Sequence, residues 1–356
     1  MPKPIISIKV PKKQGEKALA LARKLELIDK SFEIQRDEDN LYIPLVRQPQ
    51  NNELATLKSQ ISEVQTSNIV FVEKQPPAET FMKVLENKLP AHLLTALPQS
   101  LDVIGDIAII EVPLELKPYG NIIGEAILKT HRNITTVLAK AGAISGTYRV
   151  REFTFIAGEQ KTKTVHREFG CQYNVDIAKA YFSPRLSNEH QRVASLVHPG
   201  ENVVDLFAGV GPFSVLIAKK NPTGKVYAVD INPEAVELLK VNVRVNRVEN
   251  RVFPILGEAR KVTTTMLHGV ADRVIMNLPE TAIEFADAAC QAIRPEGGII
   301  HFYAFVRSPD SIENLKLRFS QAVESADRKV EVFLYAKGIR ETAPFESQIV
   351  LDVKVI

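Results

Sequence analysis

Cysteine is nearly absent: Cys171 and Cys290 are the only two in 356 residues, and they lie far apart. Neither has a His or Cys at metal-ligand spacing, so a disulfide framework and a zinc site are not indicated, no metal is expected, and both thiols read as buried and inert. Long apolar runs are missing too, with none approaching the roughly 20 residues that a membrane span needs. The N-terminal "MPKPIISIKVPKK" alternates apolar and polar residues too briefly for a signal segment. A cytoplasmic chain with no membrane partner is therefore expected. No internal repeat or low-complexity segment occurs. Nor does one sign of charge prevail, since 45 Lys and Arg face 42 Asp and Glu for a formal net charge of +3. What is present is an ordinary globular composition, 45% hydrophobic and 24% charged, with enough length to bury a large core in two or three domains.

The small net charge is unevenly spread. Residues 117–192 hold 12 Lys and Arg against 6 Asp and Glu, whereas residues 1–116 (14 against 16) and 193–356 (19 against 20) are slightly acidic. The basic middle is either a solvated surface or a strip facing phosphates, which Lys and Arg neutralise with release of counterions.

Two polar, Pro-bearing stretches, "RQPQNNE" (47–53) and "KQPPAE" (74–79), read as turns or linkers around a small N-terminal α+β module, residues 1–72. In it "EKALALARKLELI" has helical spacing and "FEIQRDEDNLYIPLV" reads as two strands about an Asp/Asn-rich turn. A second small α+β domain, 76–180, follows. Its segments read as a helix "TFMKVLENKLP", one strand "SLDVIGDIAIIEVP", a helix "NIIGEAILKTHRNITTVLAKA", and strand-like "GTYRVREFTFIAGE" and "KTVHREFGCQYNVDI".

From about residue 193 strands alternate with helices. "ENVVDLFAG", "KVYAVDIN", "RVFPILGEA", "DRVIMNLP" and "GGIIHFYAF" are separated by helical patterns such as "GPFSVLIAKK" and "NPEAVELLKVNVRVN". Such alternation implies a parallel, doubly wound α/β sheet. The last two strands, in "KVEVFLYAKGI" and "FESQIVLDVKVI", have no helix between them, so the final strand should run antiparallel near the sheet's edge. The expected fold is α/β, with a C-terminal Rossmann-like sheet that suits a methyltransferase arrangement better than a dehydrogenase's two equal halves, preceded by two small α+β domains.

The first of these strands ends in "DLFAGVGPFS", residues 205–214, where Gly209 and Gly211 allow a sharp turn and a close approach to a ligand before a helix begins. Asp230 follows Gly211 by 19 residues, at the end of the second strand, where a carboxylate can accept from both ribose hydroxyls. Pro212 and Phe213 lead to Ser214 where a dinucleotide fingerprint has its third glycine, and Asp205 before the turn would repel a pyrophosphate but suits the amino group of S-adenosylmethionine. Ligands of such sheets sit beyond the carboxyl ends of the strands, which places Glu258 near the adenine and Ile231 beside Asp230 on the cofactor side.

"MNLPE" (276–280) closes an apolar strand with residues that cannot extend a ladder. Asn277 offers an amide to a planar nitrogen heterocycle, and Pro279 turns the chain away, which should leave the Leu278 carbonyl free as an acceptor. The same tripeptide also reads as a helix-start signal.

"YFSPRLSNEHQR" (181–192), "DLFAGVGPFS", "YAVDINPEAVELLKVNVRVN", "ILGEAR" and "VIMNLP", with "YRVREFTFIAGE" (148–159) in register, together resemble the archaeal and eukaryotic tRNA (guanine-37, N1)-methyltransferases. The resemblance covers roughly residues 110–356. It implies a class I methyltransferase sheet over residues 181–356 with the middle domain joined to it, S-adenosylmethionine as cofactor, tRNA with guanosine 37 as partner, a monomer, and an N-terminal module that contacts the tRNA's outer corner. It also implies that Arg149, Glu189 and Asn277 occupy catalytic positions, and that Tyr181, Phe207, Asp230 and Pro279 lie at the cofactor or the target base. One departure is Glu258, where many relatives have Asp.

The chemistry agrees. N1 of guanine is protonated near neutral pH, so its methylation needs a base and leaves negative charge on O6; Glu189 suits the first task and Arg149 the second. Each has a plainer reading: Glu189 as an acid near a helix start at Ser187-Asn188, Arg149 as a surface or phosphate arginine. Arg151 and Arg185 are further candidates for substrate phosphates. Three alternatives stay open. A wyosine-pathway aminocarboxypropyltransferase shares scaffold and cofactor, although Pro212 and Asn277-Leu278-Pro279 argue against it. The others are a bifunctional enzyme that also methylates a wyosine intermediate, and a catalytically silent tRNA-binding module.

Overall fold

The structure, a computed structural model, describes residues 4–73, 80–98, 100–142 and 146–356. The chain divides into two compact units, Met1–Glu79 and Thr80–Ile356. The "KQPPAE" stretch read as a linker lies outside the described residues.

In the first unit β1 (Ile5–Pro11), α1 (Gly15–Lys24), β2 (Gln35–Arg36), β3 (Asn40–Pro44), α2 (Asn51–Gln60) and β4 (Gln65–Ile69) form an antiparallel sheet of order β2-β3-β1-β4 with two helices. Ile8, Val10, Ala18, Ala22, Ile43 and Leu57 build its core. Residues 51–53, read as part of a turn, instead open α2. The Glu53 carboxylate reaches back to accept the Gln50 N–H at 2.7 Å and pairs with Arg47 at 2.7 Å, which caps the helix start.

The second unit begins with α3 (Phe81–Leu85), β5 (Asp102–Ile104), β6 (Ile107–Ile110), α4 (Gly120–Thr130), β7 (Thr136–Lys140), β8 (Phe153–Gly158), β9 (Lys163–Glu168) and β10 (Cys171–Asp176). Three expectations are corrected here. "SLDVIGDIAIIEVP" is a hairpin rather than one strand, because Gly105 takes a left-handed φ of 58° between β5 and β6. The helix predicted over 121–141 stops at Thr130, and the β-branched Thr136-Val137 continue as β7, parallel to β6. In "GTYRVREFTFIAGE" only Phe153–Gly158 is strand; residues 146–149 are a turn, and Arg149 has a φ of 54°.

Then come α5 (Ser187–Leu196), β11 (Val203–Asp205), α6 (Pro212–Lys220), β12 (Val226–Asp230), α7 (Pro233–Val245), β13 (Val252–Leu256), α8 (Ala259–Met266), β14 (Arg273–Met276), α9 (Ala286–Ala292), β15 (Gly298–Arg307), α10 (Ile312–Glu324), β16 (Val330–Ala343) and β17 (Glu346–Val355). The seven-stranded sheet has the order β13-β12-β11-β14-β15-β17-β16. Pairing is parallel from β13 to β15, and β17 runs antiparallel to both its neighbours. The last strand is thus inserted one place in, and β16 takes the edge. Strand order reverses between β11 and β14, which sets a crevice at their carboxyl ends.

One apolar cluster runs from Ile104 and Tyr173 through Val193 and Phe213 to Tyr303 and Val350, so the α+β part and the large sheet share a core. Two buried amides join them. Asn242 accepts the Asn174 N–H at 2.6 Å and donates to the Val210 carbonyl at 2.9 Å, while Asn246 accepts the Gln172 N–H at 2.9 Å and returns a bond to its carbonyl at 2.6 Å. Spaced four apart, on the last turn of α7 and at its C-cap, these side chains satisfy the backbone of β10 that β9 does not pair.

Candidate active site

The glycine turn after β11 builds the first wall. Gly209 and Gly211 have φ of 56° and 93°, and Pro212 opens α6 at its first position. The Asp230 carboxylate, at the end of β12, accepts the Gly209 N–H at 2.6 Å and the Asn232 N–H at 2.8 Å, so it holds the turn in place. Burial raises its pKa, against the pull of these backbone donors. A cavity of about 400 Å³ opens at this point, lined by Tyr181, Phe207, Gly209, Asp230, Ile231, Glu258, Asn277 and Pro279 among others. A Cβ on Gly209 would come no nearer than 3.7 Å to the Tyr181 carbonyl, so the turn leaves real space on its cavity side. Glu258 also caps α8, taking the Arg260 N–H at 3.1 Å and the Lys261 N–H at 2.9 Å.

The opposite wall comes from β14. Asn277 follows its last residue, and among the described residues the buried Asn277 Oδ1 has no hydrogen-bond partner. An unmet acceptor of this kind carries a desolvation cost of about 1–3 kcal/mol that a ligand N–H would relieve. The Leu278 carbonyl, expected to be free, is committed: it accepts the Thr281 N–H at 3.0 Å and the Ala282 N–H at 2.7 Å, and Pro279 passes its own carbonyl to the Phe305 N–H at 3.0 Å. Leu278 therefore anchors the turn, and of the two residues it is Asn277 that presents an open acceptor.

Arg149 reaches this wall from its left-handed turn. Its guanidinium makes two bonds to Glu280, at 2.8 and 3.0 Å, and lies 5.7 Å from the Tyr181 ring centre. Glu280 is a residue that sequence reasoning passed over; its place directly after Pro279 was the available signal. His190 was also missed. It is buried on the cavity wall, edge-on to Phe213 with ring centres 4.6 Å apart, and its Nδ1 bonds Glu168 at 2.7 Å. Burial opposes ionisation of Glu168, yet His166 and His190 outweigh it and hold the carboxyl at about 2.

Other candidates stand off the wall. Asp205 is fully buried beneath the turn, with Oδ2 bonded to Ser214 at 2.7 Å and Oδ1 without a hydrogen-bond partner among the described residues. Desolvation pushes its pKa up to about 7. Gly211 meets Leu239 of α7, 2.3 Å from where a Cβ would sit, so it serves helix packing rather than ligand access. Glu189 lies in the first turn of α5 as expected, but it faces the sheet: Arg192 bonds it at 3.0 and 3.1 Å, and the fully buried Tyr303 hydroxyl at 3.0 Å. Arg192 in turn pairs with Asp352 at 2.6 Å. Arg185 pairs with Asp102 at 2.5 and 3.0 Å, and with Arg151 it lines a second cavity of about 230 Å³ that adjoins the first. Among the described residues no group of His, Cys, Asp and Glu could hold a metal ion, and no helix is long and apolar enough to cross a membrane.

A parallel sheet completed by an inserted antiparallel strand, with a glycine turn tied to a carboxylate at its switch point, defines a class I methyltransferase fold. Family models match along the chain: the TRM5/TYW2 methyltransferase domain over residues 164–333, the TYW2 N-terminal domain over 81–162, and the tRNA methyltransferase 5 N-terminal domain over 7–53. The tRNA (guanine(37)-N(1))-methyltransferase Trm5b of Pyrococcus abyssi is 40% identical over 350 residues, covering 98% of this chain and 99% of that one, and its crystal structure matches with a TM-score of 0.72 at 37% identity over 99% of both chains. A complex of aTrm5 with tRNALeu matches with a TM-score of 0.69 at 33% identity over 98% of this chain and 99% of that one. Trm5 of Methanocaldococcus jannaschii in complex with adenosine matches with a TM-score of 0.63 at 32% identity over 98% of each. The chain belongs to the Trm5/TYW2 family of tRNA methyltransferases.

Proposed function

We propose that this protein transfers a methyl group from S-adenosylmethionine to N1 of guanosine 37 in tRNA, acting as a cytoplasmic monomer. The observation that carries the reading is a single cavity with two kinds of wall: the Gly209 turn and the Asp230 carboxylate on one side, and the unmet Asn277 Oδ1 on the other.

The cavity residues fit the cofactor. Each Asp230 oxygen holds one backbone N–H and keeps a second lone pair for a ribose hydroxyl. Ile231 and Phe207 supply apolar contact beside it, and Glu258 retains acceptor capacity for an adenine amino group. When bound, S-adenosylmethionine supplies an electrophilic methyl. Asn277 orients the target base by accepting one of its N–H groups, and Pro279 and Tyr181 pack against it. Glu280 fixes two of the Arg149 N–H groups, and the remaining ones stabilise charge that develops on O6. Glu189 takes the N1 proton. Its carboxylate must leave Tyr303 and Arg192 to do so, turning toward the wall where its neighbour His190 already lies. Asp205 and Gly211 act indirectly, by supporting the turn. The N-terminal module and the basic residues of 117–192 hold tRNA through its backbone and shape.

Mass spectrometry of nucleosides from unmodified tRNA incubated with protein and S-adenosylmethionine tests the reading. A 1-methylguanosine product that disappears when adenosine replaces guanosine 37 supports it. An aminocarboxypropyl adduct would move the chain to the other branch of the family, and methylation of a tricyclic wyosine precursor would add a second substrate.

A further inference from the structure

The second cavity carries more positive charge than its own carboxylates neutralise. Lys140, Arg149, Arg151, Arg185 and Arg340 line it, against Asp102 and Glu280 alone. Both acids are already engaged, Asp102 by Arg185 and Glu280 by Arg149. Among the described residues Lys140 pairs with just the exposed Glu111, at 3.4 Å, which is not part of the wall. Arg151 has no ion-pair partner among the described residues. Arg340 is held by a neutral group: its Nε donates to Gln348 Oε1 at 2.9 Å, and Gln348 is 1% exposed on β17, opposite Arg340 on one side and Phe305 on the other. A register slip in β16 between Gly338 and Arg340 marks a bulge, a device that re-aims a side chain beside a site. Among the described residues the guanidinium is thus held through Nε alone, and its two terminal nitrogens have neither a hydrogen-bond nor an ion-pair partner.

Half-buried cations without carboxylates call for an anion, and a guanidinium with both terminal nitrogens free matches two phosphate oxygens. The two cavities share Arg149, Tyr181, Phe305 and Arg340, so a group that follows a base out of the first enters the second. Resting on the tRNA reading above, we propose that the second cavity seats a phosphodiester flanking the target guanosine, with Arg340, Arg151 and Lys140 as its contacts. Arg340 then fixes the nucleotide's backbone while Asn277 and Arg149 meet its base.

The test is a coupling cycle on full-length tRNA. Single-turnover methylation at subsaturating enzyme is measured with natural tRNA and with tRNA carrying a neutral methylphosphonate at the linkage 5′ or 3′ of the target, for wild type, Arg340→Gln and Arg151→Gln. Losing one charge-assisted contact should slow wild type about tenfold or more at one of the two linkages. Arg340→Gln should lose a similar factor on natural tRNA and nothing further on that modified one. Arg151→Gln, which lines the second cavity alone, repeats the cycle if Arg340→Gln fails to fold, and should bind S-adenosylmethionine as wild type does. Fully additive losses, or no loss at either linkage, would overturn the seat while leaving the activity intact. Failure of wild type to methylate natural tRNA would instead overturn the reading on which the seat rests.

Discussion

Replacing Asp230 by alanine tests the cofactor wall proposed at the Gly209 turn. Its carboxylate already ties down the turn through Gly209 at 2.6 Å and its own strand exit through Asn232 at 2.8 Å. The two ribose bonds proposed for its remaining lone pairs are charge-assisted and contribute about 1.5–3 kcal/mol each, so losing both should weaken binding by about 10²–10⁴-fold. Asp230→Asn is the sharper control. An amide keeps one acceptor oxygen and turns its NH₂ toward one of the two backbone donors, so either the turn or a ribose bond is lost, at a cost of about tenfold or more. Calorimetric titration with S-adenosylmethionine measures both variants, and thermal unfolding reports the damage to the turn itself. A dissociation constant within threefold of wild type in folded Asp230→Ala protein would refute the assignment of this wall to the cofactor.

Glu189→Gln and Arg149→Ala should each slow single-turnover methylation by about 10² or more with little change in cofactor affinity, since neither group belongs to the cofactor wall; a Glu189→Gln enzyme with wild-type rate and pH profile would leave that acid a structural role with Tyr303 and Arg192. Burial pushes Asp205 up to about 7, above its unfolded value near 4, so the folded state binds the extra proton and stability should fall as pH rises across that interval. Urea melts at several pH values should show this slope flattened in Asp205→Asn, and an unchanged slope would assign it to other groups. Removing residues 1–79 should leave S-adenosylmethionine binding intact, because the cavity is built wholly within the second unit, while raising the tRNA concentration needed for half-maximal methylation; an unchanged requirement would count against a tRNA-binding role for the first unit.

The large sheet was legible in the sequence because its signals are local. Strand and helix patterns alternate, the glycine turn of 205–214 sits between two of them, and Asp230 ends the next strand, so the positions of the turn and of the carboxylate that holds it follow from the sequence. Errors in the α+β region arose where a short polar turn looked continuous with its flanks, as at Gly105 and after Thr130. What stayed hidden is set by contacts distant in the chain. Glu280 finds Arg149 across 131 residues, Asp352 finds Arg192 across 160, and the amides of Asn242 and Asn246 meet β10 across 68 and 74. No periodicity encodes such pairs. They follow from which strand ends and turns the topology brings together, and they decide why Glu189 rests in a buried network and why Arg340 shares a wall with Arg149.

Methyl transfer to N1 of guanosine 37 leaves one diagnostic product. Nucleoside mass spectrometry of unmodified tRNA after incubation with this protein and S-adenosylmethionine should yield 1-methylguanosine from guanosine 37, inosine at that position should still be methylated because N1 and O6 remain, and adenosine should not. Equal methylation of guanosine and adenosine, or a product bearing an aminocarboxypropyl group in place of methyl, would contradict it.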